Sequence, residues 1–219
     1  GVLAETWGEA PLPPYIRRGA DAPPELRARD RERYQTVYAR ASGSVAAPTA
    51  GLHFEPETLA ALAARGVATA AVTLHVGPGT FRPPGPAALA SGRLHAEAFA
   101  YPAATDAACR RARAAGGRIV AVGTTALRVL ETVRGLGLEA PGPDVRRWAE
   151  GEGGPAPVFA GEARREEPGW RVEGRTRLFL RPPAAVAAAD ALLTNFHLPG
   201  SSLLMLVAAF TGEASWRAA

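Results

Sequence analysis

The chain has 219 residues, 47% hydrophobic and 21% charged, a balance that excludes intrinsic disorder and suits one large domain or two small ones. Its formal charge of +4 neither demands nor excludes nucleic acid, although all 25 basic residues are arginine, whose planar fork suits phosphates and bases. The single cysteine, Cys109, excludes a disulfide framework and a cysteine zinc cage, and no apolar run nears the roughly 20 residues of a membrane span, so a cytoplasmic location is expected.

The chain opens on Gly1-Val2-Leu3-Ala4-Glu5, without the basic and apolar regions of a signal peptide and without an initiator methionine. Residues 1–42 read as an extended Pro- and Arg-rich lead-in, with a short polar helix or loop across the charged run 27–33. From 43 onward, helices and strands alternate. A helix is expected over 57–65, with Pro56 in its first turn, Leu59 and Leu62 on one face and Gly66 at its end. The β-rich run 67–76 follows and stops at Gly77-Pro78-Gly79. A helix over 104–115 ends at Gly116-Gly117, a buried strand covers 118–122, and a helix over 125–134 carries Leu127, Leu130 and Val133 as a stripe.

Residues 135–175 are rich in Gly, Pro and Glu and read as an irregular surface excursion, with room for a hairpin. Strands are expected over 176–180 and 189–196, and a buried helix, apolar almost all round, over 202–212. Alternation of this kind predicts an α/β domain with a mainly parallel, open-barrel-like sheet and flanking helices. Its core strands are expected at 67–76, 118–122 and 191–196. Ligands bind beyond the carboxyl ends of such strands, which selects 77–81, 123–125 and 195–199.

Four histidines, His53, His75, His95 and His197, fall in or near these segments. None has the His-x-His or His-x-x-x-His spacing of common metal sites, so no metal is expected. Gly77-Pro78-Gly79-Thr80 offers exposed backbone amides to a ligand, and Gly123-Thr124-Thr125 leads into a helix whose free N–H groups favour anionic or polar groups. There is no Walker loop, dinucleotide fingerprint or Gly-x-Ser-x-Gly elbow.

Several runs resemble the S-adenosylmethionine:tRNA ribosyltransferase-isomerase family, in the family's order. They are Pro11-Leu12-Pro13-Pro14-Tyr15-Ile16, Arg33 to Ala39, Gly43 to Phe54, Thr73 to Phe81 and His95-Ala96-Glu97. Val120 to Thr125 follows with Arg128 and Glu131, then Leu193 to Pro199 and Leu203 to Val207. The resemblance implies transfer and isomerisation of the ribosyl part of S-adenosylmethionine onto 7-aminomethyl-7-deazaguanine at the tRNA wobble position. Epoxyqueuosine forms, adenine and methionine leave, and no metal is needed. It further implies that residues 1–42 end a largely missing β-barrel insertion, that 43–219 is the catalytic α/β domain, and that the C-terminal tail beyond Trp216 is shortened. Ala126 stands where relatives commonly carry Ser, and 181–186 departs from the family pattern.

Within this resemblance the sulfonium acidifies a ribose C–H for a modest base, and departing adenine needs an acid. His75, Glu97 and His197 are the expected acid–base residues, their individual roles left open. Arg128 is expected on a charged ligand group or RNA phosphate, and Asn195 or Thr124 on the deazaguanine edge. Substrate contacts are further expected from His53, Gly77, Gly79, Thr80 and Phe81, and from His95, Gly123, Thr125 and Phe196. His75, Thr80, Thr124 and His197 should surround one cleft. The expected partner is tRNA, with the protein a monomer. Two other readings stand beside this one: a paralogue using S-adenosylmethionine on a small molecule, and an inactive RNA-binding module.

Overall fold

The computed structural model describes residues 10, 12, 16–19, 21–77, 83–149 and 158–212 of the 219. In chain order the elements are α1 (Pro24–Arg33), a 3-10 turn (Thr49–His53), α2 (Pro56–Ala64), β1 (Thr73–Leu74), α3 (Pro86–Ser91), β2 (Arg93–Tyr101) and α4 (Ala103–Ala114). Then follow β3 (Val120–Val122), α5 (Thr124–Gly135), β4 (Val145–Trp148), β5 (Phe159–Glu166), β6 (Gly169–Leu178), β7 (Ala191–Leu193) and α6 (Ser202–Thr211). Prolines open α1, α2 and α3, where the missing N–H costs nothing. At α6 the Ser201 hydroxyl accepts from the Leu204 N–H at 3.2 Å, an N-cap.

The mainly parallel sheet is corrected. The larger sheet has five strands in the order β1-β2-β6-β5-β4, and every neighbouring pair is antiparallel. Among the described residues parallel pairing is confined to β3 and β7, with Val120 opposite Ala191 and Val122 opposite Leu193. The expected strand over 67–76 shrinks to Thr73–Leu74, and Val67 at its start is 48% exposed. Residues 67–71 are exposed, whereas Val72 and Leu74 pack against the core of the larger sheet and Val76 is buried. The strand expected over 191–196 stops at Leu193 for a related reason: beyond it the chain leaves the sheet, and Phe196 stands in solvent.

The stretch 135–175, read as irregular with room for a hairpin, supplies β4, β5 and most of β6, with β5 and β6 as the hairpin. Their inward positions, Phe159, Ala163, Trp170, Val172 and Thr176, alternate with outward Glu162, Arg164, Arg171, Glu173 and Arg175. This is the period of a half-buried antiparallel strand, thinned by Gly161 and Gly174, which face each other in register.

Helix α5 is the wedge of the domain. Val129 and Val133 press on the inner face of the larger sheet with Phe99, Tyr101, Phe159, Trp170 and Val172. Leu127 belongs to a second cluster with Ile119 and Ala121 from around β3, Leu180, Ala189, and Leu206 of α6. Leu130 packs against both. Leu127, Val129 and Val172 are fully buried, each worth about 1.5–3 kcal/mol relative to exposure. Rings add edge contacts: Phe99 and Phe159 centroids lie 5.6 Å apart, and Trp148 meets Phe159 edge-on at 5.4 Å.

Candidate active site

The amino end of α5 is set by Gly123, whose φ of 91° and ψ of 148° turn the chain from β3 into the helix. Its N–H donates to the carbonyl of Leu193 at 2.8 Å, so the ends of the two parallel strands are tied together there. Thr124 and Thr125 then line a small cleft with Val76, Leu94, Glu97, Arg128, the segment 178–180 and the start of α6 at Ser202 and Leu203. Two helix amino ends therefore face one cleft, and both favour negative charge.

One turn along α5, Arg128 crosses to the sheet and is buried, at 7% exposure. Its Nη1 donates to Glu97 Oε2, its Nε to the Leu178 carbonyl at 2.9 Å, and its Nη2 to the carbonyls of Thr176 (3.3 Å) and His95 (3.4 Å). Glu97 is 3% exposed. Its other oxygen, Oε1, accepts from the Gly77 N–H at 3.0 Å and pairs with His95 Nε2 at 2.9 Å. Burial pulls the Arg128 guanidinium below its usual value, and the Glu97 carboxylate pulls it back part of the way. A fully hydrogen-bonded buried pair is the arrangement that tolerates such burial.

His95 and Glu97 share this network because β2 is irregular between Arg93 and Glu97: Arg93 faces Leu178 while Glu97 faces Thr176. Bulges of this kind re-aim side chains beside sites. The His95 side chain keeps 36% exposure, against 2% for that of Glu97. In this triad the carboxylate is held and the imidazole faces out.

The other expected residues divide into groups. His53 Nε2 pairs with Asn195 Oδ1 at 2.9 Å, joining residues 142 apart in sequence. His197 Nε2 pairs with Thr194 Oγ1 at 2.9 Å, and burial lowers its pKa, so its imidazole is neutral near pH 7. His75 lies under Gly43, whose φ is 124° and where a Cβ would sit 2.9 Å from Nδ1. That nitrogen is buried with no hydrogen-bond partner among the described residues.

Of the four residues expected around one cleft, Thr124 lines the cleft described above, His75 and His197 are not among its lining residues, and Thr80 lies outside the described residues. His75 turns under the 43–46 segment, and His197 folds back on its own loop. Gly79, Thr80 and Phe81 lie outside the described residues. Gly77 joins the network through its backbone, and Phe196 stands wholly exposed.

Sequence reasoning misses Ser202, Leu203 and the carbonyls of Thr176 and Leu178. The run Gly200-Ser201-Ser202 before an apolar helix is an N-cap signal that points to the second helix end. Nothing local marks the two carbonyls. Among the described residues no three His, Cys, Asp or Glu side chains gather as a metal site, and no helix is long and apolar enough to cross a membrane.

The model of the family described as queuosine biosynthesis protein matches residues 2–219. The chain is 50% identical over 210 residues to the S-adenosylmethionine:tRNA ribosyltransferase-isomerase of Acidithiobacillus ferrooxidans, covering 96% of this chain and 50% of that protein. With the enzyme of the same name from Thermus thermophilus the identity is 50%, over 95% of this chain and 49% of the other. Among solved structures, S-adenosylmethionine tRNA ribosyltransferase from Thermotoga maritima is 34% identical, with a TM-score of 0.50, over 77% of this chain and 45% of that one. The chain spans about half the length of the curated relatives it matches.

Proposed function

We propose, because this chain belongs to the queuosine biosynthesis protein family, that it carries the reaction centre of an S-adenosylmethionine:tRNA ribosyltransferase-isomerase. The substrates are S-adenosylmethionine and a tRNA bearing 7-aminomethyl-7-deazaguanine at the wobble position, and the setting is the cytoplasm. The ribosyl carbons move to the base and rearrange to the epoxycyclopentanediol, while adenine and methionine depart.

The observation that carries this reading is the His95–Glu97–Arg128 network at the edge of a cleft faced by two helix amino ends. The reaction needs a base for a ribose C–H acidified by the sulfonium, and an acid for the departing adenine. His95 suits such proton exchange, since an imidazole carries one donor and one acceptor nitrogen and Glu97 fixes its orientation. Arg128 neutralises Glu97 and acts as a positioning residue. The amino ends of α5 and α6, through Thr124, Thr125 and Ser202, suit the carboxylate of the methionine moiety. His197, neutral through burial, is the second candidate base, and His53 with Asn195 offers hydrogen-bonding edges to the deazaguanine.

The assay is adenine release from S-adenosylmethionine by the natural protein containing this chain, with and without tRNA carrying the aminomethyl-deazaguanine. Release only with the modified tRNA is the expected outcome. His95→Ala should lower turnover by about 10²–10⁴-fold while S-adenosylmethionine still binds. Wild-type turnover in that variant would remove His95 from the chemistry. Absence of tRNA-dependent release in the unaltered protein would end the reading.

A further inference from the structure

Phe196 is placed in a way the fold itself does not explain. Its side chain is 104% exposed, although an aromatic ring is among the side chains that gain most from burial. Its neighbours hold it out. On one side Asn195 is pinned by the bond to His53, and on the other His197 is pinned by the bond to Thr194, both at 2.9 Å. The loop starts at the carboxyl end of β7, where Leu193 accepts from the N–H of Gly123. The root of the loop is thus tied to the helix end that lines the cleft.

We propose that Phe196 is a stacking platform for a nucleobase, set beside hydrogen-bonding groups that meet the base edge. Nucleobases are bound this way by proteins that take unpaired bases: an aromatic face supplies the stack, and adjacent side chains read the edge. The bond to His53 engages Oδ1 of Asn195 and leaves the two N–H donors of its amide for that edge. A polypeptide-docking patch would surround the ring with apolar side chains. Here the flanking groups are Thr194, Asn195, His197 and, across the fold, His53. The apolar residues near it are Leu198, 64% exposed, Pro199, and Leu193 at the root of the loop, 41% exposed. The proposal rests on the functional reading above, which supplies two sources of a base: the adenine of S-adenosylmethionine and an unpaired base of the RNA.

The test uses the natural protein containing this chain and three variants, Phe196→Ala, Phe196→Leu and Phe196→Trp. One arm titrates S-adenosylmethionine calorimetrically. The other follows the fluorescence of an anticodon stem-loop RNA carrying 2-aminopurine at the wobble position. Phe196→Ala and Phe196→Leu should each weaken one ligand by about tenfold or more, and Phe196→Trp should restore it. The ligand that responds identifies the source of the base. Melting temperatures should not move, because an exposed ring leaves no cavity when removed. Wild-type affinity for both ligands in Phe196→Ala overturns the platform. So does wild-type affinity in Phe196→Leu when Phe196→Ala is weak, since apolar contact without a π face is what a protein partner would use. If the unaltered protein binds neither ligand, the functional reading falls and the platform with it. If it binds both and no variant differs, the platform alone falls.

Discussion

Replacing Arg128 by Met tests whether the buried network is held as its geometry indicates. The substitution leaves the Glu97 carboxylate without its cation at 3% exposure and strips donors from the carbonyls of His95, Thr176 and Leu178. Breaking a buried pair from one side costs about 3–5 kcal/mol. The Gly77 N–H and His95 remain on the carboxylate and keep the loss within that range. At about 2–4 °C per kcal/mol for a chain of this size, a loss of about 4 kcal/mol lowers the melting temperature by roughly 8–16 °C. Adding Glu97→Leu should recover about 2 kcal/mol or more, because the same carbonyls lack the Arg128 donors in both backgrounds and only the stranded charge is removed. The sign with pH is also set. Without Arg128 the desolvated charge is the costly form of Glu97, so protonation favours the folded form. The destabilisation of Arg128→Met should therefore shrink as pH falls from 7 to 5, and vanish as a special feature once Glu97→Leu is added. Chemical denaturation of the four proteins of the cycle at both pH values is the assay. A single-variant loss below about 1 kcal/mol, or a cycle with no coupling, would refute the reasoning.

Three smaller predictions concern other groups. His197 has its pKa lowered by burial, so the unfolded chain takes the proton first; stability held above about pH 6.5 is lost as pH falls below it. His197→Gln should flatten that part of a melting-temperature profile between pH 7 and 5, and parallel profiles would remove the effect. Thr132 and Thr176 share a buried hydroxyl bond of 2.8 Å, and Thr176 Oγ1 also accepts from the Leu178 N–H. Thr176→Val should cost about 1–3 kcal/mol in urea unfolding, and a neutral result would mean the bond adds nothing. Burial also pushes the Cys109 thiol up, so a thiol reagent at pH 7 should label the native protein far more slowly than the unfolded chain. Equal rates would contradict that environment.

What the sequence reveals depends on where the information sits. Strand β3 and the apolar start of β7 are legible because each is a run buried on one side by neighbouring helices, and α5 is legible through Leu127, Leu130 and Val133. The antiparallel sheet is harder to read. Along β5 and β6 the inward positions include Ala163, Gly161 and Gly174, so alternation exists without apolar bulk, and the outward arginines and glutamates resemble a loop. Strand β2 joins the site through an irregular register with β6, which no local pattern announces. The site shows the same division. Thr124, Thr125 and Arg128 fall on one helix turn and can be read together. The meeting of Glu97 with Arg128 spans 31 residues and depends on how the sheet crosses the helix. The outward-facing position of His95 is a matter of exposure, which sequence does not carry.

The pairing of β3 with β7 has a kinetic consequence for a chain made from its amino end. The Ile119 N–H donates to the carboxylate of Asp190, 71 residues later, and His53 waits 142 residues for Asn195. At about 5–20 residues per second, the earlier partner of that last contact stands alone for roughly 7–30 s during translation. Closure of long loops comes late and slowly in such topologies. The sides of α5 and β3 that pack on Ala189 and Leu206 are therefore presented to solvent before their covers exist. A nascent chain halted near residue 180 would display them indefinitely, a natural substrate for a holding chaperone.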